Sequence, residues 1–292
     1  NSETSIAVAT AIDFSTLGLN VRNTSRFSFG SDHSMDLTYG FEFFRDEQDA
    51  SRDNDPSSFF PEAQADNTAF FAQAELAFWG DLLTIIPGIR YDIYDLEAPG
   101  KEGVKEREVS LKLGAALKLD DEINLNADDY VVFHASYGEG FRAPTFGELF
   151  ISGEHFTIPF LGTAYFIPNP ELKPETSYTI EGGVRTKFGR LKTNATWYHT
   201  EAEDFISTVH VSGMYPVGDW QAQNISHARL YGIELGFEYE LSDSITLWGN
   251  YSQGKGDDLD AGEPLSGIAP ESLKLGKVND NSIQAVLCLR IF

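Results

Sequence analysis

Between Gly138 and Ser177 the chain reads GEGFRAPTFGELFISGEHFTIPFLGTAYFIPNPELKPETS, with a single histidine, His155, near its middle. A neutral imidazole can ligate a metal through either ring nitrogen, or carry a proton near neutral pH. Phe150, Phe156, Phe160, Tyr165 and Phe166 lie close to it in sequence and offer aromatic surface for the walls of a ligand pocket. Pro144 on one side and Pro168, Pro170 and Pro174 on the other stiffen both ends of the segment by fixing φ and removing backbone donors. Arg142 and Glu148 are expected to pair with charges nearby. An isolated loop histidine is ordinarily just a solvated side chain, and the two proline-bearing boxes around His155 are what set it apart.

The remaining chemistry is sparse. His134 falls on the polar face of YVVFHASY and is expected to point into the interior of a closed sheet. His199 and His210 border a long loop, His227 precedes a strand and His33 sits in a turn. No HExxH or Cys/His metal spacing links them, and the lone Cys288 can form no internal disulfide. The runs DEQDASRDND and GKGDDLDAGE lack EF-hand spacing and read as solvated acidic loops. There is no GxSxG elbow, Walker loop or dinucleotide fingerprint, so the chain does not read as an enzyme. A formal charge of −24 argues against nucleic acid or an anionic surface as partner.

The elements that must hold these residues announce themselves by strict alternation. In VSLKLGAALKL, Val109, Leu111, Leu113, Ala115, Leu117 and Leu119 oppose Ser110, Lys112, Gly114, Ala116 and Lys118. GIELGFEYEL and YTIEGGVRTKF repeat the pattern. About twelve strands follow, at 14–28, 35–45, 69–79, 82–95, 108–119, 129–138, 176–188, 191–201, 222–241, 244–255, 271–278 and 282–291. Short turns at Gly80-Asp81, Gly189-Arg190 and Ser242-Asp243 alternate with long segments at 46–68, 96–107, 139–175, 202–221 and 256–270.

Short turns on one side and long loops on the other are the plan of a transmembrane antiparallel β-barrel, an all-β fold. A soluble sandwich is the competing arrangement, but its strands are commonly about 5 or 6 residues. Phe78, Trp79, Tyr91, Tyr94, Trp197, Tyr198, Tyr239 and Tyr251 fall near predicted strand ends, where interfacial girdles belong. No run of 18 apolar residues exists, which bears only on helical spans. No signal peptide is visible at NSETSIAVAT. The strand 282–291 runs outward with no return strand, so residues 1–292 are expected to be a partial barrel, and Phe292 is not read as a barrel's aromatic terminus.

GEGFRAPTFGELF followed by FIPNPELKPETS resembles the FRAP and NPNL boxes of TonB-dependent outer-membrane haem/haemoglobin receptors. NISHARLYGIELGFEYEL, NYSQGKGDD and GEPLSGIAPESLKLG are similar to the same family's later barrel strands in the same order. The resemblance implies haem as a transported ligand rather than a resident cofactor, with His155 as an axial iron ligand and Phe150, Phe156 and Tyr165 as pocket aromatics. Phe141, Arg142, Ala143 and Pro144, with Asn169, Pro170, Glu171 and Leu172, would frame the loop. Glu171 stands where the family has Asn, which bears on recognition of a host haemoprotein. The implied partners are haem or a haemoprotein, outer-membrane lipid, and the TonB-ExbB-ExbD complex acting through a plug domain and TonB box expected outside these residues. A siderophore receptor, or a non-transporting barrel serving as adhesin or enzyme, remains the alternative.

Overall fold

The alternation in VSLKLGAALK becomes a fifteen-residue strand whose odd-numbered side chains share one face. The computed structural model of the protein describes residues 10–52, 55–56, 62–119, 125–126, 128–265, 267–279 and 282–291; Phe292 lies outside them. Sixteen strands and one short helix are found there: β1 (Thr10–Ser28), β2 (His33–Arg52), β3 (Asp55–Pro56), β4 (Ala63–Phe78), β5 (Leu83–Glu97), β6 (Val104–Lys118), β7 (Tyr130–Arg142), α1 (Phe146–Phe150), β8 (Gly153–Ile158), β9 (Gly162–Ile167), β10 (Glu175–Phe188), β11 (Leu191–Ser212), β12 (Gly218–Ser242), β13 (Ile245–Asp258), β14 (Glu263–Pro264), β15 (Glu271–Asn279) and β16 (Ser282–Ile291).

Twelve of them, β1-β2-β4-β5-β6-β7-β10-β11-β12-β13-β15-β16, form a meander of sequential neighbours, and every pairing along it is antiparallel. These are the twelve strands expected from the alternation. Among the described residues β1 and β16 each keep one neighbour and the sheet does not close, as a partial barrel requires. No described helix is long and apolar enough to cross a membrane.

Register lines the apolar residues into a belt on one face. Ile89 lies opposite Leu111, Leu113 opposite Tyr137, Tyr137 opposite Ile180, and Trp197 opposite Ile233. These side chains lack protein cover: Leu113 is 52% and Trp197 47% exposed. In an outer-membrane barrel that belt meets lipid. The other face is polar, with Arg90 bonded to Glu42 at 2.7 Å and to Asp92 at 2.9 Å. His134 lies on this inner face opposite Gly183, where a Cβ would strike its ring. Tyr94 and Tyr198 also turn inward, so neither joins a girdle. Tyr198 sits over Gly232 and Gly254, and Tyr94 donates to the Pro144 carbonyl at 3.3 Å.

The strands outrun the bilayer. A membrane strand needs about 9–11 residues, whereas β11 has 22 and β12 has 25. The segment 202–221, expected as a loop, is therefore mostly ladder, because pairing continues from the membrane to Ser212↔Asp219. The apolar cluster built from Ala63, Ala65, Leu96, Ala98, Leu149, Phe150, Leu172, Ile206 and Ala222 sits among these long-loop ends, not in the lumen.

Candidate ligand-binding loop

The first box begins where β7 leaves its ladder. Arg142, the last residue of β7, pairs with Glu175, the first of β10. Its guanidinium donates to both Glu175 oxygens at 2.6 Å and to both Glu148 oxygens at 2.9 and 3.0 Å. Glu175 also accepts from the Ile206 amide at 2.7 Å. One planar cation thus joins the loop's start to its end, a task suited to a fork of five donors, and Glu175 carries the link on to β11. Thr145 caps α1 and Glu148 completes a capping box by bonding back to the Thr145 amide at 2.8 Å.

These groups lie beyond the apolar belt, whose last outward member on β5 is Ile93. Hydrogen bonding to Glu175, with Glu148 adding to it, raises the Arg142 guanidinium above its ordinary value against the opposing effect of burial. Burial alone would push Glu148 up, yet bonds from Arg142 and Thr145 outweigh it and hold that carboxyl below its usual range. Burial, then the nearby Asp46 and Glu148 charges, push the Tyr94 phenol up to about 12.

The second box docks on β12. Asn169 donates to the Ala222 carbonyl at 2.9 Å, and its amide reaches the Leu149 carbonyl at 3.0 Å. Its side-chain oxygen accepts from the Glu171 amide at 3.2 Å, a local turn. Gln221 donates to the Pro168 carbonyl at 3.1 Å. Leu172 is buried in the apolar cluster while Pro170 and Glu171 face solvent. Phe141 and Ala143 are half-buried and Pro144 is buried. Both boxes therefore brace the loop, with Pro170 and Glu171 as their outward-facing members.

Between the boxes lies a hairpin that alternation had not suggested. β8 and β9 pair antiparallel, and His155 is the extra residue where the register shifts between Glu154 and Phe156. A bulge of this kind re-aims one side chain. His155 is exposed, its ring 4.5 Å from that of Phe166 and 5.2 Å from that of Phe156. Among the described residues its ring nitrogens have no hydrogen-bond partner. Phe156 and Tyr165 are open to solvent, as is Phe160 at the turn. Phe150 is different: at 1% exposure it packs in the apolar cluster under α1, so it supports the loop's base and offers no wall to a ligand.

β9 in turn runs parallel to the start of β12, Ala164 opposite Gly218 through Ile167 opposite Gln221. A small sheet of order β8-β9-β12-β11 results at the long-loop end. It brings His210, Tyr215 and Trp220 to the same structure as His155, residues the sequence reading left aside. The other histidines are spent elsewhere. His199 bonds Glu201 at 3.1 Å, His227, inside β12, faces Asp260 at 3.5 Å, and His33 packs against Phe78 and Trp79.

Among the described residues no three His, Cys, Asp or Glu side chains gather around a point that would hold a bare ion. His155 stands instead as a single exposed imidazole beside the rings of Phe156 and Phe166.

Residues 3–281 match the family described as TonB dependent receptor-like, β-barrel. The chain is 32% identical over 281 residues to the Heme/hemopexin utilization protein C of Haemophilus influenzae strain 86-028NP, covering 89% of this chain and 38% of that protein. It is 29% identical over 271 residues to the Hemin receptor of Yersinia pestis, covering 88% and 38%. The chain thus spans 38% of the length of these curated relatives. Among solved structures, the Serratia marcescens hemophore receptor HasR, bound to its hemophore HasA and heme, superposes with a TM-score of 0.74 at 19% identity, covering 97% of this chain and 52% of that one. The copper transporter OprC also gives 0.74, at 22% identity, covering 94% and 43%. At these identities the solved structures speak to fold alone.

Proposed function

The chain belongs to the TonB-dependent receptor-like β-barrel family, outer-membrane proteins of Gram-negative bacteria, and on that footing we propose that it is the haem-capturing portion of an uptake receptor. His155 supplies one axial ligand to haem iron from the extracellular hairpin, and Phe156 and Phe166, whose rings lie against it, cover part of the porphyrin, whereas Tyr165, next to Phe166 on β9, projects from the opposite face. The curated relatives named for hemin and for heme/hemopexin support this reading. The observation that carries it is the His155 imidazole, exposed on a bulge against Phe166. The boxes on either side act as bracing. Haem is cargo here, held until energy delivered by the TonB-ExbB-ExbD complex through the plug region releases it inward.

The test is a haem titration of the full-length receptor in detergent, followed by the Soret band. His155→Ala is expected to weaken binding by about tenfold or more, or ~1.4 kcal/mol, and to change the ligand-field signature. Haem binding by the variant equal to wild type would reduce His155 to loop structure. No haem binding by either would reject the haem reading and favour another iron chelate.

A further inference from the structure

Across the small sheet one row of rings continues from His155 to the far strand. Phe166 on β9 lies opposite Trp220 on β12, and Trp220 lies opposite His210 on β11. His155 touches Phe166 at 4.5 Å between ring centres. His210 meets Trp220 edge-on at 5.3 Å and 71°, and Tyr215 leans on Trp220 at 5.8 Å and 49°. Four strands at a spacing of about 4.8 Å make this row roughly 14 Å wide.

The polar atoms of the far end are already satisfied by backbone. The Trp220 indole N–H donates to the Pro216 carbonyl at 3.0 Å. The His210 Nε2 donates to the Val217 carbonyl at 2.7 Å, since a carbonyl can only accept. The tip that supplies both carbonyls is clamped by Gly213 and Gly218, at φ 89° and 93°. A Cβ on Gly218 would run into the Ser212 carbonyl oxygen, so this turn admits little else. Trp220 is therefore held in one orientation, half-buried, at the register position opposite Phe166. It also shares a face of β12 with Ala222 of the apolar cluster, placing it on the barrel-mouth side.

We propose that Trp220, backed by Tyr215, is a stacking wall for the tetrapyrrole ring that His155 ligates. This rests on the haem reading and adds to it a contact made to the macrocycle, independent of the metal. An aromatic face already fixed by its neighbours loses little freedom on meeting a flat apolar ring. His155 would recognise the iron and Trp220 the ring, two chemistries that separate when the metal is removed from the ligand.

The experiment titrates the full-length receptor with haem and, separately, with metal-free protoporphyrin. Trp220→Ala is expected to weaken both by about tenfold, while Trp220→Phe, which keeps a ring face, stays within about threefold of wild type. His155→Ala is expected to weaken haem and leave protoporphyrin unchanged. Protoporphyrin should also quench a component of tryptophan fluorescence that Trp220→Phe lacks. Wild-type binding of both ligands with Trp220→Ala unchanged would overturn the wall and leave the haem reading standing. An equal loss in the Phe and Ala variants would assign the effect to packing and overturn it too. Failure of wild type to bind either ligand would remove the haem reading and the wall with it.

Discussion

At the scale of single residues, Arg142 carries the most structure per atom. Its guanidinium is 40% exposed while Glu175 and Glu148 are 13% and 25% exposed, so its removal leaves two carboxylates short of water and without their cation. Arg142→Ala is expected to cost the loop about 1–3 kcal/mol of local stability, below the value for a fully buried pair. Arg142→Lys should not restore it, because one ammonium cannot fork onto two carboxylates. Hydrogen exchange of amides in 145–175 reads both effects. The same cluster sets two pH limits. Glu148 titrates below its usual range when folded, so its contribution is complete above the ordinary carboxylate value and is lost as pH falls through the lowered one. Tyr94 is raised to about 12, so the folded loop keeps its neutral phenol through pH 10 and loses that stability as pH climbs towards 12. Protection of α1 and β9 amides should therefore decay at both extremes, and Tyr94→Phe should abolish the alkaline decay alone.

At the scale of elements, the twelve meander strands were legible because lipid on one side and a polar interior on the other force a period of two over long runs. The hairpin β8–β9 was not. GEHFTI and GTAYFI are six residues each, one of them bulged at His155, too short and irregular for alternation to register. Pairing of β9 with β12 leaves no local trace at all, since its partners at 218–221 are some fifty residues away in sequence. The boxes on either side of His155 singled it out as a candidate, and the structure adds only that it stands exposed on the β8 bulge. Trp220, the proposed wall, left no such trace, because its place depends on the register that sets it opposite Phe166. Phe150 was misplaced for the opposite reason: nearness in sequence to His155 says nothing about which side of α1 it occupies. The tip of β11–β12 gives this scale its prediction. Gly218→Val should destabilise the turn by about 1–3 kcal/mol and make 212–218 a preferred protease site, with the membrane portion of the ladder unaffected.

At the scale of the molecule, β1 and β16 each have one ladder neighbour among the described residues, which leaves a row of donors and acceptors along the outer side of each. Expressed alone, residues 1–292 should associate through those edges and show no heat-dependent shift in gel migration, whereas a full-length receptor should show one. What holds the described part together is distributed unevenly. Its apolar packing is concentrated at the outer rim, where Leu96, Leu149, Phe150, Leu172 and Ile206 meet, and its bore is lined by contacts such as Arg90 with Glu42. Such partly exposed ion pairs can trade their partners for water, whereas separating packed side chains leaves cavities that nothing refills. The bore can thus change its contents while the mouth keeps its shape, like a doorway whose frame is stiffer than the corridor behind it. On the proposed uptake reading, a cargo leaving inward would leave the geometry of the mouth intact, ready for the next capture without refolding.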